Sequence, residues 1–341
     1  MKQISYQSLH CHTTTSDGVL THKQVLDECE RNNIGVVAFT DHDTLPTQET
    51  IEGLKKINHE VKFFTGIEMS ATRVIEIKDQ IELFHVVGLF VDLENKNLLK
   101  YSDNAIQKRI KRTKEIITNC KSLGLDISYD EVQKQVTGTV GRPHIAKAIL
   151  SKEKNIKIMS QLEKKLFQEA KKNDELKETY EKVKNADLWQ KVFTLFLSNN
   201  SYIKNVYVHY VDQIYMDDAV SLIRNAGGIA LIAHWTYFKD KLPLTLVEKF
   251  CQEKRIDGLE TVYALGVEEF NQNEFEADMK NLDHLCDKYN LAKGGGGDFH
   301  KKEDFKLINN PRFSGFASRT KGLIERVLKL YPYLSKRWST L

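Results

Sequence analysis

The chain has 341 residues, of which 41% are hydrophobic and 28% are charged, and its formal net charge is +3. This composition is that of an ordinary globular protein with a well-buried core, and the small charge argues against a long nucleic-acid track. Five cysteines without a C-x-x-C pair favour reduced thiols over a disulfide framework. No apolar run is long enough for a membrane span and the N-terminus has no signal-like apolar region, so we expect a cytoplasmic protein.

The N-terminal stretch concentrates metal-binding residue types. A predicted strand over residues 3–10 leads into His10 and His12, which share a face because side chains two apart on an extended segment project together. After a helical segment, the apolar run 34–40 predicts a parallel strand buried on both faces. That strand ends in the triplet Asp41-His42-Asp43. Imidazoles side by side and backed by carboxylates are typical ligands of a divalent transition metal.

The later strands repeat this arrangement. Predicted strands alternate with helices, which indicates parallel β/α units whose functional residues converge on one rim of a barrel. The long charged stretch 151–192 contains no turn-bounded apolar strand. At or near the strand ends, or inside the strands at 83–92 and 256–263, lie Glu68, His85, His234, Glu260, Asp298 and His300.

Between the two halves of the barrel, the character of the chain changes. A basic amphipathic helix covers 104–123, a short Arg142-Pro143-His144 element precedes another helix, and residues 151–192 are highly charged, as expected for solvated helix faces. We therefore expect a discontinuous barrel domain formed by 1–94 and 206–315. A mainly helical insertion would occupy 95–205 and a C-terminal helical tail 316–341.

Seven short motifs occur in an order that resembles the PHP (polymerase and histidinol phosphatase) family. They are His-x-His before SDG, TDHDT, GIE, H-x-x-GL, GRPH, AGG before Ala-His, and DFH. In motif order the chain is most similar to the branch of nucleoside 3′,5′-bisphosphate phosphatases and short-oligonucleotide exonucleases. The resemblance implies an α/β fold, a distorted (β/α)7 barrel with a small inserted domain, and a trinuclear metal site.

The resemblance also implies roles for individual residues. His10, His12 and Asp298 would hold one metal ion, Glu68 would bridge to a second ion held by His85 and His234, and a third would bind Asp17, His42 and His300. Arg142 and His144 match an element that faces the substrate phosphate, and Arg109 and Arg112 are similar to an R-x-x-R of related sequences. Two positions depart from the family pattern: Trp235 replaces a proline and Gly297 replaces a serine.

The chemistry of this residue set leads to the same expectation. Mixed imidazole and carboxylate ligands suit Zn, Mn or Fe. Clustered divalent ions make a bridging hydroxide available near neutral pH, and they neutralise a phosphate during in-line displacement. Arg142 would clamp a phosphoryl oxygen, and His144 would bind the phosphate or protonate the leaving group.

Several alternatives stay open at this point. Arg142-Pro143-His144 also suits a turn at a helix start, and the basic helix also suits an exposed face. Asp41 and Asp43 would orient His42 or a neighbour, or cap a helix. Glu260 is either a residue that supports the site or a satisfied carboxylate at a strand end. Residues 294–297 lack the Lys-Ser/Thr of a P-loop, and a close approach of backbone to metal ligands explains them better.

We therefore expect a metal-dependent phosphoesterase that binds three divalent ions and acts on a small nucleotide or the end of a short oligonucleotide. The alternatives are a 5′→3′ exonuclease, a phosphatase of a non-nucleotide metabolite such as histidinol phosphate, and a non-catalytic metal-binding module. The expected partner is a small phosphorylated substrate and not a membrane. Oligomeric state, native metal and leaving group are left open.

Overall fold

The computed structural model describes residues 6–81, 84–136, 138–209, 214–264, 270–309 and 319–339. Within these residues seven strands form one sheet in the order β1 to β7. The strands are β1 (Tyr6–Ser8), β2 (Ile34–Phe39), β3 (Lys62–Met69), β4 (Val86–Leu89), β5 (Ile229–Ile232), β6 (Gly258–Tyr263) and β7 (Ala292–Gly296). Residues 3–5, 83, 316–318 and 340–341 of the predicted strands and tail lie outside the described part of the chain.

The sheet curls into a nearly closed barrel. Strands β1 to β3 run parallel to one another, as do β5 to β7. The segment that follows β1 meets β7 and the residues after it through backbone hydrogen bonds, from the N–H of Leu9 to the carbonyl of Gly295 (2.8 Å) and from the N–H of His12 to the carbonyl of Phe299 (3.0 Å). The predicted fold class, a distorted (β/α)7 barrel, is confirmed.

Strand β4 departs from the expectation of uniformly parallel β/α units. It pairs antiparallel with both β3 and β5, and the residues described between β3 and β4, 70–81 and 84–85, contain no helix. We had expected His85 inside a strand, but it lies just before β4. Because β4 is reversed, its beginning lies at the same rim as the C-terminal ends of the other strands, so His85 still reaches that rim.

Eleven α-helices precede β7 in the described part of the chain. They are α1 (His22–Arg31), α2 (Gln48–Lys55), α3 (Lys96–Ser122), α4 (Tyr129–Gln133), α5 (Arg142–Leu150), α6 (Glu153–Ala170), α7 (Asp174–Asn185), α8 (Leu188–Val192), α9 (Met216–Asn225), α10 (Leu244–Gln252) and α11 (Gln272–Lys288). A π-helix covers Phe193–Leu197, and 3₁₀ turns cover Trp235–Tyr237, Lys302–Asn309 and Pro332–Leu334. Two further α-helices cover Leu323–Leu330 and Ser335–Ser339. None of the described helices has the length and apolar character needed to cross a membrane.

Alternate residues of the strands belong to two different apolar clusters. On β2, Val37 and Phe39 pack in the larger cluster together with helix residues, whereas Val36 and Ala38 join side chains from across the barrel. This second cluster is the barrel interior, and the helix Leu323–Leu330 contributes to it. Glu68 lies four residues after Phe64, which is an interior residue, so the period of two along a strand directs Glu68 inward as well.

The chain divides into two compact units. Unit 1 comprises Met1–Ala105 and Gln213–Leu341, and it contains all seven described strands; unit 2 comprises Ile106–Asp212. Unit 2 is helical and has its own apolar core, to which α3, α5, α6 and the π-helix contribute. The first ten residues of α3, 96–105, belong to unit 1. The predicted boundaries at 94/95, 205/206 and 315/316 stay a prediction.

Candidate metal centre

The nine side chains predicted to bind metal come together in unit 1. Each follows a strand or, for His85, precedes the reversed strand β4, and they contact one another as a continuous network at one end of the barrel. Three groups within this network have ligand atoms close enough to hold an ion: His10, His12 and Asp298; His42, Glu68 and His85; and His12, Asp17, His42 and His300.

The first cluster is formed by His10, His12, Glu68 and Asp298. His12 Nε2 lies 3.2 Å from His10 Nε2, 3.2 Å from Glu68 Oε2 and 3.1 Å from Asp298 Oδ1. His10 Nε2 lies 3.3 Å from Glu68 Oε2 and 3.6 Å from Asp298 Oδ1. Ligands bound about 2 Å from a tetrahedral ion are about 3.3 Å apart, so the spacing of the His10, His12 and Asp298 atoms fits a single ion, and Glu68 Oε2 lies at a similar distance from both imidazoles.

The second cluster lies around the other oxygen of Glu68. Glu68 Oε1 is 2.7 Å from His85 Nδ1 and 2.9 Å from His234 Nε2, and the two nitrogens are 3.2 Å apart. The two carboxylate oxygens of Glu68 therefore face different clusters. The role of Glu68 as a carboxylate that bridges two metal ions stays a prediction.

The third cluster is wider and surrounds Asp17. Asp17 Oδ1 lies 3.4 Å from His300 Nε2 and 3.6 Å from His12 Nδ1, and Asp17 Oδ2 lies 3.7 Å from His42 Nε2. His42 also places its Nδ1 2.9 Å from Glu68 Oε2. His42 thus connects the third cluster with Glu68, and it belongs to two of the three groups of candidate ligands.

Two carboxylate oxygens are buried without a hydrogen bond. Within the part of the chain that the structure describes, no donor is oriented toward Glu68 Oε2 or Asp298 Oδ1. A buried carboxylate oxygen left without a donor is costly. Both atoms point into the first cluster, where a cation would compensate them, so the residues present fit divalent metal binding.

Glu260 orients two of the candidate ligands. Its Oε1 lies 2.8 Å from His10 Nδ1, and its Oε2 accepts a hydrogen bond of 2.9 Å from the backbone N–H of His234. His10 Nδ1–H then donates to Glu260, which leaves the Nε2 lone pair facing the cluster. Asp298 does the same through its backbone carbonyl, 2.9 Å from His300 Nδ1. Of the two interpretations of Glu260, these contacts favour a residue that supports the metal centre.

Asp41 and Asp43 hold the loops that carry ligands. Asp41 accepts hydrogen bonds from the N–H and the hydroxyl of Thr13 (both 2.8 Å) and from the Ser16 hydroxyl (2.6 Å). Asp43 accepts from the N–H (2.7 Å) and hydroxyl (2.8 Å) of Ser70. The helix-cap alternative is wrong, because Thr47 caps α2. Sequence reasoning missed Thr13, Ser16 and Ser70, although Ser16 stands directly before a predicted ligand.

The backbone bends sharply at three residues of the centre. Asp43, His234 and Asp298 adopt left-handed conformations, with φ of 53°, 28° and 50°. Such conformations cost about 1–3 kcal/mol each in residues other than glycine and persist where the surroundings impose them. Here each bend follows the end of a barrel strand or its extension, and it turns the chain so that ligands meet at the rim.

A glycine stretch lets the backbone pass close to the ligands. A Cβ at Gly296 would lie 2.4 Å from Ser8 Oγ and 3.0 Å from the backbone nitrogen of His10, and Gly295 has φ of +114°. A side chain at Gly296 would displace the segment that carries His10, and one at Gly295 would clash with the backbone of Val262. The prediction that residues 294–297 allow a close approach of backbone to the ligands is confirmed.

The buried charges of the centre shift one another's pKa. Burial disfavours the charged form of His12, but the adjoining carboxylates of Asp298 and Glu68 raise its pKa to about 10. Despite burial, nearby carboxylates also raise the pKa of His10, His234 and His300, and nearby imidazoles hold the pKa of Asp17, Glu68 and Asp298 below the usual range. Burial lowers the pKa of His85. Protons on these imidazoles thus occupy the place that cations would take.

The predicted phosphate-binding residues lie on unit 2. Arg142 begins α5 and donates to the carbonyl of Leu197 (3.1 Å), and its guanidinium lies 5.7 Å from the ring centroid of Tyr207. Buried His144 accepts from the backbone N–H of Gly141 (3.0 Å) through its Nδ1, and Pro143 occupies the first turn. These contacts match a helix start, and the role of both residues toward phosphate stays a prediction.

The two arginines of the basic helix are half-buried. Arg112 donates through Nε to the carbonyl of Val208 (2.7 Å), and its guanidinium lies 5.2 Å from the centroid of the Tyr207 ring. The prediction for Arg109 and Arg112 as substrate-binding residues likewise stays open. Nothing in the sequence pattern pointed to Tyr207 as the ring that Arg112 and Arg142 both contact.

A model of the PHP domain family matches residues 8–204, more than half of the chain. The chain belongs to the PHP domain family. A phosphoribosyl 1,2-cyclic phosphate 1,2-diphosphodiesterase of Eggerthella lenta is 26% identical over 300 residues, which cover 87% of this chain and 94% of the relative. A 3′,5′-nucleoside bisphosphate phosphatase of Chromobacterium violaceum is 23% identical over 295 residues, 86% of each chain.

A third relative is matched only in part. A 5′-3′ exoribonuclease of Haemophilus influenzae is 28% identical over 143 residues, and the match spans 42% of this chain and about half of the relative, 49%. Among solved structures, a Bifidobacterium adolescentis protein assigned provisionally to the metal-dependent phosphoesterases has a TM-score of 0.63 at 20% identity, covering 95% of this chain and 96% of that one. These matches confirm the predicted family and fold, and the relatives' activities agree with the predicted class of enzyme.

Proposed function

We propose that this PHP-family chain is a metal-dependent phosphoesterase that hydrolyses a phosphate ester of a small nucleotide or of the end of a short oligonucleotide. The observation that carries the proposal is the convergence of six imidazoles and three carboxylates at one rim, with Glu68 Oε2 and Asp298 Oδ1 buried and pointing into the first cluster. Such a concentration of charge in a buried site needs cations to balance it.

Three divalent ions would account for all nine side chains. His10, His12, Glu68 and Asp298 would hold the first ion, Glu68, His85 and His234 the second, and Asp17, His42 and His300 the third. Mn, Zn or Fe suits this mixture of nitrogen and oxygen ligands. Bound there, such ions supply an activated water and neutralise the charge of a phosphoryl group during displacement.

The chain's own residues prepare the site. Glu260 holds His10 in the tautomer whose Nε2 faces the cluster, and Asp298 does so for His300 through its carbonyl oxygen. His10, His12 and Glu68 are buried, so electrostatic interactions among them are stronger than they would be in water. Arg142 would pair with a phosphoryl oxygen in bidentate fashion, and His144 would bind the same group or give a proton to the leaving oxygen.

The nucleotide part of the proposal is supported by the relatives. One is a phosphatase of nucleoside 3′,5′-bisphosphates, matched over 86% of its length, and another is an exoribonuclease, matched over about half. The full-length match favours a small substrate over a long strand. The net charge of +3 agrees with this, since binding along a nucleic-acid strand relies on many basic contacts.

A product analysis tests the proposal. Mn²⁺-loaded protein is incubated separately with a nucleoside 3′,5′-bisphosphate, a 5′-phosphorylated oligonucleotide, a phosphoribosyl cyclic phosphate and histidinol phosphate, and the products are resolved by ion-exchange chromatography. We expect inorganic phosphate and a nucleoside monophosphate from the bisphosphate. A ladder of mononucleotides would instead assign an exonuclease, and turnover of histidinol phosphate alone a metabolite phosphatase.

Two further measurements complete the test. Elemental analysis of the purified protein counts the bound ions, and we expect three per chain. Asp298→Ala should abolish activity and lower the metal count, because Asp298 Oδ1 faces the first cluster. Full activity of this variant would contradict the proposal, and metal binding without turnover of any substrate would favour the non-catalytic module.

A further inference from the structure

Helix α3 contacts the residue next to a candidate ligand through Tyr101, which lies in its second turn. Asn95 caps the helix, since its Oδ1 accepts hydrogen bonds from the N–H groups of Asn97 (3.1 Å) and Leu98 (3.0 Å). Leu98 is fully buried in the core of unit 1. Tyr101 lies three residues later, so it projects from the same side of the helix as Leu98. The helix then continues through Ala105 into unit 2.

The hydroxyl of Tyr101 donates to the carboxylate next to His42. Its distance to Asp43 Oδ1 is 2.6 Å, and Ser70 supplies two more hydrogen bonds to the same carboxylate, from its N–H at 2.7 Å and its hydroxyl at 2.8 Å. A carboxylate that accepts three hydrogen bonds is firmly oriented, and bonds of this charge-assisted kind are the stronger ones.

Asp43 in turn takes part in the backbone hydrogen bonds between the segments that carry His42 and Glu68. Its N–H donates to the carbonyl of Glu68 (2.8 Å), and the N–H of Glu68 donates to the carbonyl of Asp41 (3.2 Å). These two bonds enclose His42, which pairs with Glu68 across the extension of β2 and β3. Asp43 has a φ of 53°, a conformation that the surrounding bonds must hold.

We propose that Tyr101 is a positioning residue for the metal centre: it acts through Asp43 to hold His42 and Glu68 in register, and it links ion binding to the anchoring of α3. The inference rests on the proposed function only in requiring that the centre binds divalent ions. The helix that leads into unit 2 is thereby tied within unit 1 to the residue beside a candidate ligand.

The variant Tyr101→Phe tests this by removing one hydroxyl. Mn²⁺ is titrated calorimetrically into metal-free protein, without substrate. We expect the apparent affinity to fall about tenfold, the lower end of the loss that follows removal of a hydrogen-bond partner behind a metal ligand. The matched control is Tyr289→Phe, which removes a tyrosine hydroxyl that donates to the carboxylate of Glu248 at 2.9 Å and should leave Mn²⁺ affinity unchanged.

A second variant separates positioning from general loss of structure. If Tyr101 acts through Asp43, Tyr101→Phe has no further effect on Mn²⁺ affinity in an Asp43→Ala background, which leaves no side-chain acceptor for the Tyr101 hydroxyl. Ser70→Ala, which removes another donor to the same carboxylate, should weaken Mn²⁺ binding in the same direction. Unchanged affinity in folded Tyr101→Phe, or an equally large additional loss in the Asp43→Ala background, would overturn the proposal.

The linkage gives a reciprocal readout. Because coupling between two sites acts in both directions, Mn²⁺ should slow amide hydrogen exchange over residues 98–105 in the wild type and less so in Tyr101→Phe. Equal protection in both proteins would contradict the link to α3. Failure of the proposed function has a different result: Mn²⁺ binds and Tyr101→Phe weakens it, but no phosphate ester is hydrolysed.

Discussion

Replacing Glu260 with glutamine keeps the shape of the side chain and removes one acceptor from a fully enclosed position. Glu260 receives two donors, His10 Nδ1–H at 2.8 Å and the backbone N–H of His234 at 2.9 Å. A carboxamide can accept only through its oxygen. If that oxygen serves His10, the amide nitrogen opposes the His234 N–H, and a buried donor left without an acceptor costs about 1–3 kcal/mol.

The other orientation of the carboxamide is no better for the metal. The amide nitrogen would then donate to His10 Nδ1 and stabilise the tautomer that carries its proton on Nε2, the atom that faces the first cluster. We therefore expect Glu260→Gln to weaken Mn²⁺ affinity by about 10- to 100-fold, the range for loss of a residue that orients a metal ligand. At about 1.4 kcal/mol per factor of ten, this agrees with the cost of one unmet donor.

Calorimetric titration of Mn²⁺ into metal-free protein measures the effect directly. The control is Glu153→Gln, which removes a carboxylate whose side chain is 80% exposed and should change neither affinity nor stability. If Glu260→Gln binds Mn²⁺ within twofold of the wild type, then Glu260 does not orient His10, and the assignment of His10 Nε2 as a ligand loses its support.

Three further outcomes follow. The pKa of His12 in the metal-free protein is about 10, above its ordinary value of about 6.5. The contribution of its charged form to stability is therefore complete below about pH 6.5 and is lost as the pH rises to about 10. Urea unfolding with chelator present should show this decline in stability, and His12→Gln should make the decline smaller. Gly296→Ala should destabilise by about 1–3 kcal/mol through overpacking against Ser8, whereas Gly53→Ala, with no atom within 4 Å of the new Cβ, should not destabilise in the same unfolding assay. A chelator should lower the free energy of unfolding by about 4 kcal/mol, compared with protein in a Mn²⁺ concentration about a thousand times the Kd. Equal melting curves with and without the chelator would contradict metal binding.

The candidate ligands could be predicted because their signal is local. Imidazoles and carboxylates at strand ends, such as His10 and His234, stand out by residue type, and alternation of strands with helices predicts that strand ends meet. Even where the strand prediction was wrong in detail, as for His85, the residue type led to the right place. The reversal of β4 has no such signal, because a short apolar strand reads the same in either direction.

The supporting residues were harder to predict, since their role depends on contacts between distant segments. Glu260 lies 250 residues from His10, and only the closed barrel brings the two together. Tyr101 carries no sequence cue at all: it is an ordinary aromatic residue on a helix. Arg142 illustrates the reverse case, because a family motif suggested a chemical role while the observed contacts are those of a helix start.

The strain at the rim follows from these assignments. Asp43, His234 and Asp298 each hold a left-handed conformation, which together costs several kcal/mol at about 1–3 kcal/mol each. The buried carboxylates add a further cost, offset in the metal-free protein by protonated imidazoles. Divalent ions at the centre would replace those protons and bind the same oxygens more strongly, so the native conformation of the rim gains stability from ligand binding. A rim that is strained without ions and stable with them is what a centre built for metal binding requires, and a purely structural histidine cluster would have no reason to retain it.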